Sequence, residues 1–94
     1  MTDIAPRHFV RALQDLPTGT SKGRFGDRSY VASKTVYNDG KSIKFVAEEL
    51  GGRDYVSLNL YQLAGGFSLK PCEMSCEKVI DFVTRFSATK GDAF

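Results

Sequence analysis

Apolar and polar residues alternate with a period of two along the middle of this chain and change to a helical period near its end. Tyr30–Tyr37, Ser42–Leu50, Tyr55–Leu63 and Phe67–Lys70 read as strands. The third is the clearest: Val56, Leu58 and Leu60 point one way, and Tyr55, Ser57, Asn59 and Tyr61 the other. Such alternation marks a sheet with one covered and one wetter face. Asn38-Asp39-Gly40-Lys41 predicts a tight hairpin, because Asp-Gly tolerates the positive φ angles of a two-residue turn. That turn sets Val36 opposite Ile43 and Lys34 opposite Phe45. Ala32, Val36, Ile43, Phe45 and Ala47 then share one side, and Ser33, Thr35, Tyr37 and Lys44 the other. Gly51-Gly52-Arg53-Asp54 and Ala64-Gly65-Gly66 predict the next two turns, and Pro71 closes the last strand.

Ser75–Phe86 predicts a helix. Val79, Phe82, Val83 and Phe86 fall at i, i+3, i+4 and i+7, Ser75 is placed to cap the first turn, Glu77 suits its dipole, and Asp81 can pair with Arg85. A shorter helix is expected over residues 3–16, where Phe9, Val10, Leu13 and Leu16 form a stripe, with Asp3 as cap, Pro6 in the first turn and Pro17 as its end. The expected class is α+β: a four-stranded antiparallel meander followed by a C-terminal helix on one face, with a short N-terminal helix. The expected divisions are a helical segment at 1–17, a flexible basic linker at 18–29, a ββββα domain at 30–86 and a tail at 87–94.

Ninety-four residues make one small domain with a thin stability margin, which favours a homodimer. A hydrophobic content of 41% and a charged content of 26% are those of an ordinary globular domain. No apolar run approaches the ~18 residues that span a bilayer. Met1-Thr2-Asp3-Ile4-Ala5-Pro6 does not resemble a secretory leader, so the expected location is cytoplasmic.

Chemistry-bearing residues are few. His8 stands alone on a helix. Cys72 and Cys76 form a Cys-x3-Cys pair, which lacks the spacing and the βαβ context of a thioredoxin-type motif. A reducing compartment argues against a disulfide, and a zinc site lacks ligands. Glu48 and Glu49, adjacent on a strand, face opposite sides and cannot act together. The glycine-rich stretch 18–29 lacks the ordered glycines and Gly-Lys-Ser/Thr ending of a phosphate loop. No enzyme activity, cofactor or metal is expected.

Charge distribution points elsewhere. The net charge is only +2, but residues 22–44 carry six basic side chains against two acidic ones, while residues 45–94 carry five against seven. A basic block on a small sheet is a footprint for a polyanion. Single-stranded nucleic acid is held by aromatic platforms and by cations along its phosphates. Lys22, Arg24, Arg28, Lys34, Lys41 and Lys44 are the candidate phosphate contacts, and Tyr37, Tyr55 and Tyr61 the candidate stacking platforms.

The Ser21-Lys22-Gly23-Arg24 lead-in, the Asn38-Asp39-Gly40-Lys41 hairpin, and Leu69-Lys70-Pro71 before a Ser75-capped helix resemble the unit of the single-stranded-DNA-binding transcriptional regulators. That group includes the positive-cofactor transcriptional coactivators, the plant whirly proteins and the Pur-alpha repeats. The resemblance spans Lys22 to Phe86 and rests on element order and charge placement. It implies a homodimer, helices that help pair the subunits, and curved sheets that form a groove for single-stranded DNA or RNA. The alternative is a protein-interaction or dimerisation module whose tyrosines form the interface.

Overall fold

The computed structural model describes residues 5–88. Helix α1 (Arg7–Asp15) precedes five strands, β1 (Gly19–Phe25), β2 (Arg28–Tyr37), β3 (Ser42–Glu49), β4 (Tyr55–Leu63) and β5 (Gly66–Pro71). Helix α2 (Cys76–Arg85) follows, and the two-residue strand β6 (Ser87–Ala88) ends the described chain. All pairings are antiparallel, in the order β5-β4-β3-β2-β1-β6. The protein is α+β, with both helices on one side of an open six-stranded sheet.

The sheet is therefore two strands wider than alternation alone suggests. Residues 18–29, expected to be a flexible linker, contain β1, a two-residue turn at Gly26-Asp27, where Gly26 has φ +64°, and the first two residues of β2. The physical reason lies in the inward positions of β1, which are Ser21, Gly23 and Phe25 rather than a run of branched apolar residues. Gly23 is buried because the Phe86 ring lies against its Cα, where any Cβ would collide with the ring and with the Ser87 carbonyl. That contact brings the chain after α2 back along β1, where Ala88 pairs with Gly23 and Ser87 with Arg24. Ser87 and Ala88, expected in the tail, are thus strand; residues 89–94 lie outside the described residues, as does the proposed cap Asp3.

The central hairpin has the expected register, with Val36 opposite Ile43 and Lys34 opposite Phe45. Asp39 (φ 58°) and Gly40 (φ 90°) both take positive φ, and Lys41 N–H donates to the Asn38 carbonyl at 3.1 Å. Both features fit a primed turn that follows the twist of the strands.

The core lies between the sheet and the helices. Phe9, Val10 and Leu13 of α1 and Val79, Phe82 and Val83 of α2 bury their stripes against Ala32, Phe45, Ala47, Val56, Leu58, Leu60 and Leu69. Phe82 is the aromatic hub, with ring centroids 4.8 Å from Tyr30, 4.9 Å from Phe25 and 5.1 Å from Phe86. Burying such a ring contributes ~1.5–3 kcal/mol. Ser75 caps α2, its hydroxyl accepting from Lys78 N–H at 3.1 Å, and Arg85 reaches Asp81 at 3.3 Å. Helix α1 starts at Arg7 rather than near residue 3, so Pro6, expected inside the first turn, is its extended N-cap, and Leu16 is its C-cap just before Pro17.

Candidate nucleic-acid interface

The face of the sheet turned away from the helices carries the candidate site. Strand parity fixes which side chains it presents. Because Tyr30, Ala32 and Lys34 point into the core, Val31, Ser33, Thr35 and Tyr37 of β2 point outward. Register then aligns transverse rows. Lys22, Val31, Glu48 and Tyr55 form one row. Thr20, Ser33, Val46 and Ser57 form the next. Thr35, Lys44, Asn59 and Lys70 follow, and Tyr37, Ser42 and Tyr61 lie closest to the β2–β3 hairpin. Arg24 extends the face at the β1 end. Within these rows four basic side chains, Lys22, Arg24, Lys44 and Lys70, stand against one acidic side chain, Glu48. Tyr37, Tyr55 and Tyr61 are 47%, 41% and 39% exposed.

The expected site residues divide accordingly. Lys22, Arg24, Lys44, Tyr37, Tyr55 and Tyr61 share the outer face. Lys41 sits in the hairpin turn at its end, where its carbonyl accepts from Gln62 N–H at 2.7 Å.

Lys34 is not on that surface. It is 5% exposed, on the helix side, and its Nζ donates to the Gln14 carbonyl at 2.9 Å and the Leu16 carbonyl at 2.8 Å. These are carbonyls at the C-terminal end of α1, where a cation also meets the negative end of the helix dipole. Burial pulls the Lys34 ammonium below the usual lysine range, with Asp15 opposing. Lys34 is thus a structural cap, and its position opposite Phe45 was the sequence signal for it. Arg28 also leaves the face. It lies two residues before Tyr30, hence on the helix side, at the rim, 3.7 Å from Glu49.

Lys70 joins the site from β5. It is exposed and aligned with Lys44 through Asn59, although its stretch of sequence carries more acid than base. The sequence signal was again parity: Leu69 points in, so Lys70 points out.

At the opposite end of the sheet a polar cluster fixes the β3–β4 turn. The Tyr30 hydroxyl donates to Asp54 Oδ2 at 2.6 Å, Lys78 Nζ donates to Asp54 Oδ1 at 2.8 Å, and Asp54 N–H donates to Glu49 Oε1 at 3.2 Å. Burial, and then the bond to Asp54, push the Tyr30 phenol up to about 12. Burial acts to raise the Asp54 carboxyl, but the hydrogen bonds from Lys78 and Tyr30, the Lys78 charge and the Tyr55 amide hold it below the usual carboxylate range. Every member has a partner, so the cluster joins β2, the turn and α2.

Other chemistry is sparse. His8 lies in a shallow depression with Arg7, Arg11, Ala12 and Asp15 on the exposed side of α1. Cys72 and Cys76 are free thiols. Cys76 packs against the core, while Cys72 Sγ accepts from Asn59 Nδ2 at 3.9 Å on the outer face. Among the described residues no three His, Cys, Asp or Glu side chains converge as metal ligands, and no helix is long and apolar enough to cross a membrane. The chain matches no protein-family model, no curated protein and no solved structure.

Proposed function

We propose that this protein binds single-stranded nucleic acid, DNA or RNA, on the outer face of its sheet and acts as a small regulator of the transcriptional kind its sequence resembles. One observation carries the reading. The face that the helices leave open gathers Lys22, Arg24, Lys44 and Lys70 with three exposed tyrosines around a single carboxylate. Cations at strand spacing follow a phosphate backbone, and tyrosine rings take unpaired bases whatever their identity. Base stacking of this kind contributes ~1–3 kcal/mol per base. A duplex keeps its bases stacked on each other and offers nothing to the rings, so single strands are preferred.

The test is fluorescence anisotropy of a labelled mixed-sequence single-stranded oligonucleotide, titrated at low and moderate salt. Micromolar or tighter binding that weakens steeply with salt, with an unlabelled duplex competing poorly, supports the reading. No binding at low salt, where electrostatic attraction is least screened, overturns it.

A second reading, a protein-interaction module or homodimer interface, draws on Leu63, which is 60% exposed beside Tyr61 on the same strand. Sedimentation equilibrium decides whether the chain self-associates, and Leu63→Asp dissociates the dimer if this surface forms it.

A further inference from the structure

The row nearest the β2–β3 hairpin has a shape of its own. Tyr37 of β2 pairs with Ser42 of β3, and Ser42 pairs with Tyr61 of β4, so the two tyrosines flank a serine with all three on the outer face. Strands two apart in a sheet are separated by ~9.5 Å. A planar ring stacked on both sides needs ~7 Å between its neighbours, twice the ~3.5 Å contact distance between carbon atoms. A large side chain on β3 would fill the space between the tyrosines, whereas serine leaves it open.

The floor and the next row are polar. The Ser42 hydroxyl accepts from Asn38 Nδ2 at 3.1 Å, which leaves its own proton for an acceptor on a ligand. Two residues further along β3, Lys44 follows Ser42 on the same face. Same-face neighbours on a strand lie ~6.6 Å apart, which is the reach from a base to a phosphate attached to its sugar.

We infer that Tyr37 and Tyr61 form the walls of a slot for one nucleobase, with the base edge on Ser42 and the adjoining phosphate on Lys44. The inference rests on the proposed function and narrows it: one unstacked base is clamped at the hairpin end of the sheet, and the remaining basic residues follow the rest of the strand. The slot is a site for a nucleoside with a phosphate beside it, so it also accepts a mononucleotide.

The experiment uses adenosine 5′-monophosphate at millimolar concentration, with the tyrosine ring signals followed by NMR. The slot requires the Tyr37 and Tyr61 rings to shift together, while Tyr55, ~20 Å away along β4, stays in place. Ser42→Leu fills the space between the rings while both tyrosines remain in the chain, and it is expected to weaken the mononucleotide about tenfold or more, as is Tyr61→Ala. Thermal melts of both variants confirm that the sheet is intact; should Ser42→Leu unfold the protein, Tyr37→Ala replaces it. Absent or uniform tyrosine shifts, or full affinity in folded variants, overturn the slot. A parallel titration of wild-type protein with the single-stranded oligonucleotide separates the two failures. Oligonucleotide binding without a mononucleotide response removes the slot alone, and loss of both removes the proposed function with it.

Discussion

The Tyr30 hydroxyl donates a 2.6 Å hydrogen bond to Asp54, joining the second strand to a turn 24 residues away. Tyr30 is fully buried, and its ring meets Phe82 edge-on at 4.8 Å, so its apolar body belongs to the core and its polar tip to the turn. Lys78 reaches the same carboxylate from α2. One carboxylate therefore sets the helix layer against the sheet, and the outer face inherits a fixed strand register.

Tyr30 is expected to ionise late. With the phenol pushed up to about 12, the folded state holds its proton where the unfolded chain has lost it. Unfolding therefore releases a proton between the ordinary tyrosine value and about 12, and stability falls as pH rises through that window. Ultraviolet titration of phenolate should show a late step that Tyr30→Phe removes. A late step that survives in Tyr30→Phe, or no late step in the wild type, contradicts the buried hydrogen bond.

Asp54 acts at the acid end. Its folded carboxyl lies below the ordinary value, so its contribution is complete above the unfolded carboxylate range and is lost as pH falls through the folded one. Asp54→Asn is expected to lower stability at neutral pH by ~1–3 kcal/mol and to flatten the acid limb of a urea-midpoint profile. An unchanged acid limb would show that the charge on Asp54 plays no part.

Lys34 separates structure from binding. Lys34→Met removes the two charged hydrogen bonds to the carbonyls at the end of α1, a loss of ~1–3 kcal/mol. Because the side chain never reaches the outer face, oligonucleotide affinity and its salt slope should stay as in wild type. Lys44→Ala should do the reverse, leaving stability within ~0.5 kcal/mol and lowering the salt slope by about one counterion. Chemical denaturation and salt-dependent anisotropy on both variants check the pair.

Gly23→Ala tests how β6 is held. The new methyl group meets the Phe86 ring and the Ser87 carbonyl, so the chain after α2 must move away from β1. The expected cost is ~1–3 kcal/mol, with loss of hydrogen-exchange protection at Ser87 and Ala88. Unchanged protection there contradicts the close packing.

The parts of this structure that were legible in the sequence are those where alternation is strong. Val56, Leu58 and Leu60 gave the orientation of β4, and Asp39-Gly40 gave the hairpin register, so the outward placement of Tyr37, Lys44, Tyr55 and Tyr61 followed. Strand β1 was not legible, because its inward residues Ser21 and Gly23 are small, and Gly23 is a glycine to make room for Phe86, a constraint set by a segment more than 60 residues later. Counting charge by sequence block placed Lys34 and Arg28 in the site and left Lys70 out. Counting by strand parity corrects all three, since a basic residue two positions from a core residue shares its side of the sheet. The Tyr30–Asp54–Lys78 cluster had no local signal, as it joins three segments distant in sequence.

Under the proposed function, single-stranded nucleic acid meets the open face of the sheet and not the helix face. Lysine acetylation followed by mass spectrometry, with and without a saturating single-stranded oligonucleotide, distinguishes the two faces. Lys22, Lys44 and Lys70 on the outer face should be protected by the oligonucleotide, while Lys78 on α2 keeps its reactivity. Protection centred on Lys78, or no protection of Lys44 and Lys70 at saturation, contradicts binding on the open face.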